Sequence, residues 1–276
     1  MKYATVMVGL ALGQPNEARL EIAAQLAERF GTKVIGVAAA EFSPPLYFTS
    51  GEPAQKLVDQ GWAAVKNRLA ELEGGFRAAM QNRAVEVEWR CAEDFPTRYI
   101  VQQARACDII VVGAAVRGAL ADPFVQISPS DLVMQAGRPL LVVPDTCAWL
   151  DLRSVLIAWK DTAEARRAVS DALPLLHKST EVTIAEVIED EADRAAAVSR
   201  VGDVVARLSR HGIPASAQVP EQLGEAATQL ERIASSVGAG VVIAGAYGHS
   251  RFSEWILGGV TRRLINPSNR CSLLSH

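Results

Sequence analysis

The same order of strand-like and helix-like segments runs through this chain twice, and that repetition restricts its fold more than any other feature. Apolar runs long enough for buried strands occur at residues 3–10, 33–39, 108–113 and 140–143. They return at 154–159, 182–187, 241–245 and 272–275, with weaker strand patterns at Val85, Val87, Trp89 and at 215–219. Helical spacing fills the gaps. Ile22, Leu26 and Phe30 lie four apart behind Asn16, which reads as a helix cap. Leu57, Val65, Leu69, Phe76 and Met80 mark one face of a long helix, and Val201, Val205 and Leu208 mark another in the second half. Strands that alternate with helices imply an α/β chain with parallel sheets.

The register of the repeat follows from matched residues. Gly113 and Gly245 end corresponding strands at an offset of 132, which also carries Arg138 onto Arg270. Val6 and Ile157 correspond at an offset of 151. Val6 and Gly113 are therefore 107 residues apart, whereas Ile157 and Gly245 are only 88 apart. The extra length in the first half fits a loop over residues 41–53, rich in Pro, Ser and aromatics, and the long helix after it. A chain of 276 residues accommodates two domains, with expected bounds 1–148 and 149–276.

Composition narrows the function. A net charge of −3 gives no reason to expect nucleic acid or an anionic membrane surface as partner. The apolar N-terminus is interrupted by Gln14, Pro15 and Asn16, so it reads as a first strand and not as a signal peptide. No run reaches membrane-spanning length, and the expected location is cytoplasmic. Cys91, Cys107, Cys147 and Cys271 are scattered without CxxC spacing, so they read as free thiols in a reducing compartment, with no metal site.

Residues 240–264, GVVIAGAYGHSRFSEWILGGVTRRL, carry the strongest chemical signal. A strand ends in Gly245 and Gly248, and nine residues later Gly258 and Gly259 precede Val260, Thr261 and Leu264 at helical spacing. Glycines allow close backbone approach, and the first N–H groups of a helix have no intrahelical partner, so such a segment suits an anion. The alternative is that the glycines only shape turns. At the start of the same half, Asp161 with Glu164 three residues later resembles a capping box.

Together with VLIAWKDTAEARRAV, AGRPLLVVP and SLLSH, this segment resembles a tandem member of the universal stress protein family. The resemblance covers nearly the whole chain, specifically in the second half and more loosely in the first. It implies two tandem domains, each a parallel five-stranded sheet flanked by helices, Rossmann-like and similar to the adenine nucleotide alpha hydrolases. It implies that the two domains pair, with residues 140–143 and 272–275 as meeting edges; a homodimer is left open.

The family motif, G-x2-G-x9-G followed by Ser or Thr, implies ATP as ligand, with Mg²⁺ alongside. Gly245, Gly248 and Gly258 stand at its glycines; Gly259 stands where a hydroxyl is expected, and Thr261 offers one two residues later. His249 and Val260 belong to the same implied site, as do Lys160 and Asp161, where the family's ATP binders place an Asp at the end of the first strand. Lys160 also reads as a solvated strand end, and His249 as a solvated loop residue. In the first half only Gly113 survives: Val116, Gln126, Ile127 and Pro129 stand at the other positions. That half is expected to have lost the phosphate site.

No P-loop is present, and Gly248-His249-Ser250-Arg251-Phe252 lacks the last glycine of a nucleophile elbow. No catalytic residue is singled out. The implied role is a nucleotide-binding module in stress regulation or signalling; a weak ATP hydrolase and a nucleotide-free interaction scaffold are the alternatives.

Overall fold

The computed structural model describes residues 2–43, 52–83, 85–115, 122–247, 259–266 and 268–276. The first half comprises β1 (Thr5–Leu10), α1 (Glu17–Phe30), β2 (Lys33–Ala39), α2 (Glu52–Met80), β3 (Val87–Ala92), α3 (Pro96–Gln103), β4 (Ile109–Gly113), α4 (Pro129–Gln135) and β5 (Leu140–Val143). The second comprises β6 (Ser154–Ala158), α5 (Ala163–Asp171), α6 (Leu173–Leu176), β7 (Glu181–Ala185), α7 (Arg194–Arg210), β8 (Ala215–Gln218), α8 (Ala226–Ser236), β9 (Val241–Gly245), α9 (Gly259–Ile265) and β10 (Cys271–Ser275).

Among the described residues these strands form one ten-stranded sheet in the order β3-β2-β1-β4-β5-β10-β9-β6-β7-β8. Each half is parallel throughout, and the halves meet at one antiparallel pair, β5 with β10. There Val142 faces Ser272, Leu141 faces Leu273 and Leu140 faces Leu274. These are the two strands expected to meet.

Successive strand residues point to opposite faces, so each apolar run feeds two cores. Val6, Val8, Val155, Ile157, Ile243 and Leu273 join α1, α2 and α5–α7 on one face. Met7, Leu156, Val242 and Leu274 join α3, α4, α8 and α9 on the other. Burial on both faces explains why the central strands are continuous β-branched and leucine runs rather than alternating ones. Both cores cross from one half into the other without a break.

The connection between the halves is packed. Leu150 and Leu152 are buried, and the Gln25 side chain of α1 grips the segment, donating to Ala148 O at 3.0 Å and accepting from the Leu150 N–H at 2.9 Å.

Several local expectations change. Asn16 stands at the cap of α1, but its side chain bonds Ala11 and the Gln14 carbonyl, so it ties down the turn after β1 and not the helix. Asp161 does not cap α5. Thr162 does, its Oγ1 accepting from the Ala165 N–H at 3.3 Å, while Asp161 pairs with Arg166 at 2.6 Å. The cap falls to the residue that directly precedes the helix. The β3 strand starts at Val87 and not Val85. Of the loop expected over residues 41–53, residues 44–51 lie outside the described residues, and Glu52 and Pro53 already belong to α2.

Leu273 is fully buried at the join and belongs to a core shared by both halves. Leu273→Ala should therefore cost about 2–5 kcal/mol. In hydrogen exchange, peptides from β1 and from β6 should lose protection together. Loss confined to the second half would show that the halves unfold independently.

Candidate functional site

In each half the sheet order reverses beside the first strand, between β1 and β4 and between β6 and β9. In open parallel sheets such reversals leave a crevice at the C-terminal strand ends, where ligands bind. The two crevices of this chain are built differently.

In the first half the third residue of α1 is Arg19, 2% exposed. Its guanidinium donates to Gly9 O at 3.4 Å and Gln14 Oε1 at 3.3 Å. It also lies against Gly113, where an added Cβ would stand 2.0 Å from Nη2. Burial lowers the Arg19 pKa to about 10, against the opposing pull of Asp145 and Glu17, so the group stays charged at neutral pH. Ile127 is buried nearby, its Cδ1 about 3.2 Å from the Cβ that Gly9 lacks. Pro129 opens α4 behind the Ser128 cap, at a helix position that needs no N–H.

In the second half the third residue of α5 is Ala165, a methyl group where the first half has a guanidinium. Gly245 packs directly on this turn: an added Cβ would stand 2.5 Å from Ala165 N and 2.7 Å from the Glu164 carbonyl carbon. Its need for glycine is thus met by helix packing before any ligand is considered.

Beside it, Lys160 and Asp161 are exposed at the end of β6, Asp161 held by Arg166. Trp159 and Glu186 follow paired residues of β6 and β7, so they are lateral neighbours on one face. Both are buried, and Trp159 Nε1 and Glu186 Oε2 have no hydrogen-bond partner among the described residues. Glu186 Oε1 accepts from Arg200 Nε at 3.0 Å and Nη2 at 2.5 Å. An unpaired buried carboxylate oxygen is costly and is met at sites that await a partner. Glu186 was not singled out from the sequence, although a charge inside the apolar run VTIAEVI was a signal for it.

Across the crevice, Gly259, Val260 and Thr261 open α9. Val260 packs partly buried on the core. Thr261 is 4% exposed, and its Oγ1 accepts from the Tyr247 N–H at 3.4 Å. Tyr247 has φ +60°, a left-handed conformation that non-glycine residues adopt at a cost. Thr261 therefore holds the strained backbone just before the glycine segment. On the opposite side the Ala246 N–H donates to Ser275 O at 2.8 Å. Gly248, His249 and Gly258, and Val116 in the first half, lie outside the described residues. Among the described residues no group of three or more His, Cys, Asp or Glu is placed to hold a metal, and no helix is long and apolar enough to cross a membrane.

A family model described as the universal stress protein family matches residues 2–144. The match falls on the half that keeps one motif glycine. Among solved structures, the chain is similar to a universal stress protein from Archaeoglobus fulgidus DSM 4304, at 16% identity over 99% of this chain and 96% of that one, with a TM-score of 0.71. It is also similar to a functionally unknown protein from Pseudomonas aeruginosa PAO1, at 15% identity over 99% and 92% of the two chains, with a TM-score of 0.60. These likenesses concern the fold and extend over both halves. No curated protein matches the chain.

The two end-of-strand glycines should respond differently to a methyl group. Gly245→Ala meets backbone and should destabilise by about 1–3 kcal/mol in guanidinium unfolding without nucleotide. Gly113→Ala meets a side chain able to rotate and should cost less. Equal stability of Gly245→Ala and the parent would refute the packing role.

Proposed function

The chain belongs to the universal stress protein family, and on that premise we propose that its second half binds an adenine nucleotide at the C-terminal ends of β6 and β9. The ligand is ATP, and the chain acts as a nucleotide-binding module in regulation or signalling. Residues 149–276 form the binding domain, and residues 1–148 its structural partner.

One observation carries the reading: the first crevice holds the buried Arg19 guanidinium against Gly113, and the matching helix position in the second is Ala165. The donor set of the second crevice suits the ligand. Among the described residues Glu186 Oε2 is an unused acceptor, suited to a ribose hydroxyl or a base amino group, and Trp159 Nε1 an unused donor. Lys160 supplies positive charge at the strand end. Gly248, Gly258, Gly259 and Val260 contribute backbone N–H groups around the phosphates, with His249 beside them. Thr261 acts one step removed, through the Tyr247 backbone. Asp161 is committed to Arg166, so Mg²⁺ enters only as companion of the phosphates.

The packing of Gly245 on α5 favours a second reading, a scaffold without nucleotide, because it explains one motif glycine with no ligand.

Calorimetry with ATP separates the two. Micromolar binding corresponds to about 8 kcal/mol, much of it from the phosphates. Gly248→Val should abolish the signal and Glu186→Gln should weaken it, with circular dichroism unchanged in both. Val116→Gly in the first half should create no second site. Absence of ATP binding by the parent would retire the nucleotide reading in favour of the scaffold, and equal affinity of Gly248→Val and the parent would remove the glycine segment from the site.

A further inference from the structure

Two of the four cysteines, 124 positions apart in sequence, are brought into contact at the join between the halves. Cys147 lies in the connecting segment and Cys271 opens β10; the Cys271 S–H donates to Cys147 Sγ at 3.6 Å, and the Cys147 S–H donates to Trp149 O at 3.8 Å. Cys271 is fully buried, whereas Cys147 is half-buried and lines a cleft of about 650 Å³ between α1, α2 and the connecting segment. One cysteine thus borders a cleft wide enough for a small solute, and the other is enclosed. We infer that Cys147 and Cys271 form a peroxide-reactive thiol pair that closes to an intramolecular disulfide.

The arrangement gives each sulfur one role. Donation from Cys271 holds the Cys147 thiol down to about 7, and Cys271 is pushed up by the same bond and by burial. A thiolate is the nucleophile in such chemistry. The Cys147 thiolate attacks one peroxide oxygen; the S–O bond forms, the O–O bond breaks, and hydroxide leaves and is protonated to water. Cys271 then loses its proton and attacks the Cys147 sulfur; the S–S bond forms, the S–O bond breaks, and a second water leaves. Two thiols are oxidised by two electrons, and one peroxide is reduced to two waters. The product staples the connecting segment, already held to α1 through Gln25, to the strand that joins the two halves of the sheet.

The other cysteines serve as internal controls. Cys91 is exposed and Cys107 is buried, with burial pushing its thiol up to about 12. In a Cys91→Ser background, which removes cross-linking between molecules through that thiol, the protein is treated with hydrogen peroxide, alkylated and mapped by mass spectrometry. The peptides of Cys147 and Cys271 should appear joined, lighter by two hydrogens and released by reductant, at least tenfold faster than Cys107 is lost. With Cys271→Ala added, Cys147 should stop at a sulfenic acid trapped by a 1,3-diketone. The inference is overturned if Cys147 and Cys271 stay alkylatable for as long as Cys107 does. It is equally overturned if Cys147 is oxidised without ever joining Cys271 in the parent, a result that needs no further variant to fold.

Discussion

The antiparallel contact between β5 and β10 holds the architecture together. Each half, taken alone, ends in a strand whose backbone groups on one side lack partners and which carries buried apolar side chains, all four of β5 and Cys271, Leu273 and Leu274 of β10. Pairing Leu140–Val143 with Cys271–Ser275 satisfies those groups and removes two sticky edges at once. It also aligns the faces of the two halves of the sheet, so that each core becomes a continuous layer across both. The outer edges are treated in another way. The β8 strand is short and largely exposed, and beside β3 Lys33 bridges Glu86 and Glu88 while Arg90 holds Glu88 from the other side. These charges hold the Glu88 carboxyl down at about 2, so the edge stays charged over the whole neutral range.

With the frame shared, the two halves are free to differ where the strands end. A glycine closes the fourth strand of each, yet it answers to different neighbours. Gly113 makes room for a buried guanidinium, and Gly245 for the backbone of a helix. Once Arg19 occupies the first crevice, its charge and its hydrogen bonds to Gly9 and Gln14 make that end of the sheet a structural feature. At the ends of β6 and β7, Trp159 Nε1 and Glu186 Oε2 lack hydrogen-bond partners among the described residues, and the left-handed Tyr247 follows β9. Unsatisfied buried groups and backbone strain tend to persist where function needs them.

Strand and helix positions were legible from residue order alone, because burial on two faces or one imposes a period that neighbouring residues carry themselves. The ten strands of the described residues fall within a few residues of the strand-like runs, and the repeat offset alone makes Gly113 and Gly245 counterparts. Caps are less legible in residue order. Asp161 and Asn16 have the right chemistry for caps, but Thr162 stands closer to α5, and Ala11 offers Asn16 a better pair of partners.

What tertiary structure alone decided are relations between residues far apart in the chain. That Arg19 reaches Gly113, that Glu186 lies beside Trp159 with one oxygen unpartnered among the described residues, and that Cys147 touches Cys271 depend on which strands become neighbours and which faces they turn. No local period encodes such distances, since each arises from packing helices on a sheet whose order departs from the order of the sequence. The amino-acid sequence determined the α/β repeat, the two halves and the glycine segment. The choice of which crevice a guanidinium fills, and which polar atoms are left without partners, was settled only when ten strands closed into one sheet.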